Sequence, residues 1–164
     1  MIHRDFLMRM MELFVRALAK ILLLKEEKQY DEAMDEIDRT GEMFFGHDFK
    51  LFKILSEADL IRLLTSDGML DLKRCLVLAE LLGLEGEMLE LQNKNEASGS
   101  LILRSLSLFL EAVLQNKEFE TLENFSKIDA LIEKIQKADL PDHVDKKLAL
   151  YDVLPGRLAL KKDH

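Results

Sequence analysis

Residues 4–27 read RDFLMRMMELFVRALAKILLLKEE, a run without glycine or proline. Charged side chains between positions 5 and 20 recur at spacings of 4, 3, 4 and 4, as Asp5, Arg9, Glu12, Arg16 and Lys20. At about 100° per residue these positions share one narrow arc of a helix, while almost every other position is apolar. An ordinary surface helix carries one apolar stripe, whereas this one carries one polar stripe. The pattern predicts a first helix over residues 4–27 that needs cover on several sides, from its own fold or from a partner.

The rest of the chain also favours helices. Leu, Met, Ala, Glu and Lys, all good helix formers, dominate it, and both prolines, Pro141 and Pro155, lie in its last quarter. No stretch alternates polar and apolar residues for long enough to predict a strand. At 164 residues the chain has the length of one domain with a substantial hydrophobic core. Composition therefore predicts a single all-α domain.

Cap and turn residues set the expected element boundaries. Ser56 is placed to cap a short helix, and Gly83 and Gly86 are expected to close the helix before them. Residues 93–100 form the most polar stretch and are expected to be a loop. In chain order, the helices predicted after the first cover residues 30 to 41 or 46, 48 onward, 56–64, 70–82, 87–92, 101–115, 118–137 and 142–153, with a turn at 66–68.

Two of the predicted apolar helices are each followed by an amphipathic helix that opens on an aromatic residue. The two steps read KQYDEA over residues 28–33 and KEFETL over residues 117–122. Tyr30 and Ala33 resemble the Gly-x-Tyr-x-x-Ala step of tetratricopeptide repeats, with Lys28 at the usual glycine position. The resemblance implies helical hairpins in which Tyr30 packs back on the first helix and Ala33 lies at the close contact between the two helices.

Residues 4–12, together with residues 18–22, resemble the opening of a bacterial family described only as a domain of unknown function. That resemblance implies an all-helical, repeat-like protein and brings no activity, cofactor or catalytic residue. We therefore expect an all-α fold of helical hairpins, either a tetratricopeptide-like array or a compact bundle of about seven to nine helices. Residues 1–154 are expected to form one helical domain, and residues 155–164 a C-terminal tail.

Charge and cysteine content narrow the classes of partner. The chain has 23 basic and 31 acidic residues and a net charge of −8, which disfavours binding to a phosphate backbone. The charges of the first helix interrupt any apolar run long enough to span a bilayer, and their mixed sign disfavours a membrane surface. Cys75 is the one cysteine, so no internal disulfide can form. These features predict a cytoplasmic protein that binds neither nucleic acid nor membrane.

The sharpest catalytic candidate is the pair His47-Asp48. Adjacent His and Asp on a helical scaffold are typical of metal-dependent phosphohydrolases, which add a histidine upstream and an aspartate downstream. Here those residues would be His3, close to the chain terminus, and Asp129 or Asp139. Metal ligands need rigid support from their neighbours, and position 3 is a poor place for it. A solvated helix start at Asp48 is the favoured interpretation, so we assign no catalytic, cofactor-binding or metal-binding residue and expect no cofactor.

The predicted function is a non-catalytic protein-interaction or scaffolding module, because hairpin arrays create concave binding surfaces. The alternative is a metal-dependent phosphohydrolase-like enzyme that uses His47 and Asp48. The sequence does not identify a partner. Either the first helix lies at the centre of the fold, or part of its face pairs in a homodimer, since a symmetric dimer is the commonest way to cover a wide apolar face. A chain end has few intramolecular neighbours, so Phe6, Met10 and Phe14, with Met11 beside them, are expected to form that interface.

Overall fold

The computed structural model describes residues 2–135 and 140–162. The predicted all-α fold is confirmed: the described residues form a compact bundle of nine α-helices and one small β-hairpin. The helices are α1 (Ile2–Glu26), α2 (Tyr30–Phe45), α3 (Phe49–Phe52), α4 (Glu57–Leu63), α5 (Leu72–Leu91), α6 (Asn95–Gln115), α7 (Leu122–Lys134), α8 (Asp142–Asp152) and α9 (Pro155–Lys162). Strands β1 (Thr65–Ser66) and β2 (Met69–Leu70) pair antiparallel around the turn expected at residues 66–68. Short 3₁₀ turns, Gly46–Asp48 and Lys117–Phe119, precede α3 and α7.

The antiparallel hairpin of α5 and α6 forms the centre of the bundle. Helix α5 also packs against α2, while α6 also contacts α4, α7 and α8. Neighbouring helices also cover the polar side of α6. Ser107 is buried there, and Lys147 of α8 lies 2.8 Å from the Glu111 carboxylate. The thiol of Cys75 donates a hydrogen bond to the Leu108 carbonyl, and burial raises its pKa to about 12. Cys75 is therefore a core residue that joins the two central helices.

Gly83 and Gly86 do not end a helix, contrary to the sequence prediction. Both lie inside α5, which continues through the segment predicted as a separate helix. A Cβ atom on Gly86 would lie 2.8 Å from Cγ1 of Ile102, and one on Gly83 would lie 2.7 Å from Oγ of Ser105. The two glycines therefore allow α6 to approach α5 closely, which outweighs their poor intrinsic helix propensity.

The loop predicted over residues 93–100 is also wrong, because α6 begins at Asn95. Ser98 lies buried in this polar stretch, and its hydroxyl donates a hydrogen bond of 2.7 Å to the Gly86 carbonyl. Two helical turns later, the Ser105 hydroxyl donates a hydrogen bond of 2.6 Å to the Ala79 carbonyl. Small hydroxyl side chains thus serve as contact residues at the close α5–α6 crossing, and the prediction of a loop mistook Ser98 for a loop residue.

A left-handed turn at Lys28 joins α1 to α2. Lys28, at the usual glycine position, has a φ of 60°, and the amide of Gln29 donates to the Leu24 carbonyl at 2.8 Å. Ala33 is fully buried, and Tyr30 is partly buried against the core. The left-handed turn that favours glycine is therefore present with a lysine in it.

Other boundaries follow their caps. Ser56 accepts a hydrogen bond from the Asp59 amide, as predicted, and α4 starts behind it. The helix predicted over residues 118–137 begins as a 3₁₀ turn, and its last two positions lie outside the described residues.

The predicted tail forms a helix, α9, and Arg157 in it lies 2.9 Å from the Asp129 carboxylate of α7.

The close α5–α6 contact predicts opposite effects for two glycine substitutions. Gly86→Ala should lower the free energy of unfolding by about 1–3 kcal/mol, because its methyl group would overpack against Ile102. Gly99→Ala, in the same hairpin but with no atom within 4 Å of its Cβ, should raise that free energy by about 0.5–1 kcal/mol. Urea unfolding of the two variants measures both changes, and a stable Gly86→Ala protein would contradict the close contact.

Candidate functional site

Helix α1 lies at the edge of the bundle and packs mainly on α2. The side that faces α2 repeats at spacings of 4, 3, 4 and 3, as Met10, Phe14, Ala17, Ile21 and Leu24. Ile21 is fully buried, and Phe14 is 6% exposed with its ring edge-on to Phe44 at 5.5 Å. We call this row the covered seam, and it anchors α1 to the rest of the chain.

A second apolar row runs beside the covered seam. Its residues recur at spacings of 3, 4, 3 and 4, as Met8, Met11, Val15, Leu18 and Leu22. Met8 is 56%, Val15 62% and Leu22 46% exposed, while Leu18 is partly buried. We call this row the open seam, because four of its five side chains are exposed and only Leu18 packs against the core. Its alternating spacing of three and four is the spacing of a coiled-coil contact.

Charged residues frame the open seam. Arg4 lies one turn before Met8, and Lys25, which forms an ion pair with Glu87 of α5, follows Leu22 by three residues. Glu12 and Arg16 flank the seam on its polar side, and Lys73 of α5 approaches it near the start of α1. Arg4, Glu12, Arg16 and Lys73 line a groove of about 690 Å³ together with Leu7, Met8, Met11 and Val15. The surface thus has an apolar centre and a charged rim, as protein interfaces do.

The structure corrects part of the predicted dimer interface. Phe14 belongs to the covered seam and is not available to a partner, and Met10 of the same seam is partly buried. Phe6 is 58% exposed, as expected. Sequence reasoning missed Met8, Val15 and Leu22, although their spacing was readable, because α1 has two apolar rows and periodicity alone does not say which one meets α2.

The covered seam predicts unequal costs for two phenylalanine substitutions in α1. Phe14→Ala should lower the free energy of unfolding by about 3–5 kcal/mol, because it opens a cavity against Phe44. Phe6→Ala, on the exposed surface of the same helix, should change it by less than about 0.5 kcal/mol. Thermal and urea unfolding give both values. Equal costs would contradict the assignment of the two faces.

Of the histidine–aspartate pair, the structure describes only the side chain of His47. His47 is exposed in the 3₁₀ turn before α3, and His143 is exposed at the start of α8. The side chains of His3 and Asp48, together with all of Asp139, lie outside the described residues. Among the described residues, no group of three or more His, Cys, Asp or Glu side chains is arranged to hold a metal ion.

A buried polar cluster joins the C-terminal helices. Tyr151 is fully buried, its hydroxyl donates to Asp129 at 2.9 Å and accepts from Arg157 at 2.6 Å. Burial raises the pKa of the Tyr151 hydroxyl, and the hydrogen bond to Asp129 raises it further. The cluster borders a cavity of about 790 Å³ that is also lined by acidic residues of α7 and α8. Since its members bind one another, we assign the cluster to the docking of α9.

A second buried cluster holds α2, α3 and α5 together. The Lys53 ammonium, just after α3, lies 2.7 Å from the Glu85 carboxylate and also binds Asp38. Burial alone would lower the pKa of Lys53, but the hydrogen bonds to the two carboxylates raise it above its usual value. One ammonium bridges two carboxylates from different helices, so we assign this cluster too to the stability of the fold.

Comparison with family models, with curated proteins and with solved structures finds no match. One described helix, α6, is long and apolar enough to cross a membrane, and 61% of its apolar window is buried inside the bundle. That burial is what the core helix of a folded bundle requires. The open seam is therefore the strongest candidate site on the described surface.

Proposed function

We propose that this protein is a non-catalytic helical interaction module that binds a helix of a protein partner along the open seam of α1. The observation that carries the proposal is a row of apolar side chains at coiled-coil spacing, mostly exposed, on a helix that the covered seam already anchors. A partner helix with the same spacing would fill the grooves between these side chains and remove them from water. The proposal places the protein in the cytoplasm, consistent with its single buried cysteine.

Anchoring of α1 favours binding because the helix is already folded, so no conformational entropy is lost in ordering it when a partner binds. A free peptide would have to fold as it binds, whereas α1 is held in place by Phe14 and Ile21. The flexible thioethers of Met8 and Met11 adapt to the shape of a partner more easily than branched side chains do. The alternative, a metal-dependent phosphohydrolase with His47 and Asp48, has no specific observation in its favour among the described residues.

A photo-reactive amino acid placed in the seam tests the proposal in the cell of origin. With the photo-reactive amino acid in place of Val15, the protein should crosslink to another protein, because a partner helix occupies the seam in that cell. Replacing Ile54, which is equally apolar and exposed but lies outside α1, serves as the matched control and should yield little. Equal yields from the two positions, or crosslinks from Val15 to lipid in place of protein, would overturn the proposal.

A further inference from the structure

We infer that the occupant of the open seam is a second copy of this chain, bound antiparallel about a two-fold axis that passes between residues 16 and 17 of α1. This inference rests on the proposed function and names its partner. The inference is drawn from the packing of the open seam against the same seam of a second copy, and from the positions of the charged residues of α1 relative to that seam.

The open seam is self-complementary in the antiparallel orientation. With the axis between residues 16 and 17, Val15 of one copy faces Leu18 of the other, and Met11 faces Leu22. The more flexible methionines at the start of the seam therefore pack against leucines at its end. Antiparallel helix pairs form their contact layers in this way, with unlike seam positions opposite each other.

Charge decides between the two orientations. Arg4 and Lys25 continue the seam at its two ends, so a parallel pair would place each beside its own copy. Like charges at such positions repel. In the antiparallel pair, Lys25 instead faces Met8 of the other copy, which its aliphatic stem can cover while its ammonium keeps Glu87.

The polar flank of the seam is compatible with the same orientation. Glu12 of one copy lies opposite Ala19 of the other, where the small side chain leaves room for the carboxylate. Arg16 lies one turn from Ala19 on the polar side of the same helix. Arg16 lies five residues, or about 7.5 Å along the helix axis, from Glu12 of the other copy, so this flank adds no ion pair but also places no like charge opposite Glu12.

The size of the seam sets the expected affinity. From Met8 to Leu22 it spans about 21 Å at about 1.5 Å per residue, which is two heptads. Two heptads are too few to fold and pair as free peptides, but here both helices are formed before they meet. We therefore expect a dissociation constant in the micromolar range, at the weak end of specific dimers.

Sedimentation equilibrium from about 1 to 200 μM tests the dimer. The wild type should show a monomer–dimer equilibrium, and Val15→Glu should weaken it at least tenfold with unchanged helicity by circular dichroism. Leu13→Glu is the matched control, since Leu13 is also exposed on α1 but lies on the side of the helix opposite the open seam, and it should behave as the wild type. Met8→Glu, nearer the chain end, is the second seam variant, to be used if Val15→Glu loses helicity.

Disulfide trapping tests the orientation. When Met11→Cys and Leu22→Cys proteins are mixed and oxidised, the mixed disulfide should exceed the disulfides between like chains. Cys75 is buried and stays out of the reaction. A predominance of disulfides between like chains would show a parallel pair and overturn the inference.

The outcomes separate this inference from the proposed function. A wild type that stays monomeric to 200 μM, with Val15 still crosslinking to a different protein, would overturn the dimer and leave the interaction module standing. Binding of the wild type to phosphatidylserine vesicles, lost in Val15→Glu, would overturn both. A dimer that Leu13→Glu weakens as much as Val15→Glu would also overturn the assigned seam.

Discussion

The close approach of α5 and α6 is the constraint on which the rest of the bundle depends. The approach is possible because Gly83 and Gly86 carry no side chain. The hydroxyls of Ser98 and Ser105 then donate hydrogen bonds to backbone carbonyls of α5. Two apolar helices packed this closely provide most of the buried core, and α2, α4, α7 and α8 are arranged around them. A wider spacing would lose both the serine bonds and the packing that the other helices share.

The position of α1 follows from this arrangement. Because α5 and α6 already fill the centre, α1 reaches the bundle through α2 and through the ion pair of Lys25 with Glu87. A helix with one neighbour can bury only one row of side chains, yet α1 carries two. The covered seam satisfies the fold, and the open seam is left with apolar side chains in water, an arrangement that soluble monomers seldom keep without a use for it.

Local patterns predicted much of this fold. The polar stripe of α1, the cap at Ser56 and the turn at residues 66–68 depend on neighbours in sequence, and all three were readable. Gly86 and Ser98 were misread because their roles depend on a helix packed against them, and a glycine that ends a helix looks the same in sequence as one that admits a neighbour. Phe14 was misplaced for a related reason, since the choice between two apolar rows is made by the partner helix and not by α1 itself.

Methyl NMR of the methionines tests the central claim, that the open seam is a self-binding surface, most directly. With methionine methyl groups labelled, the resonances of Met8 and Met11 should shift as the protein is concentrated through the micromolar range. Met69, exposed on the β-hairpin, and Met88, buried in α5, should stay fixed and report on non-specific association and on the core. Concentration-independent signals from Met8 and Met11, or equal shifts at Met69, would contradict the account.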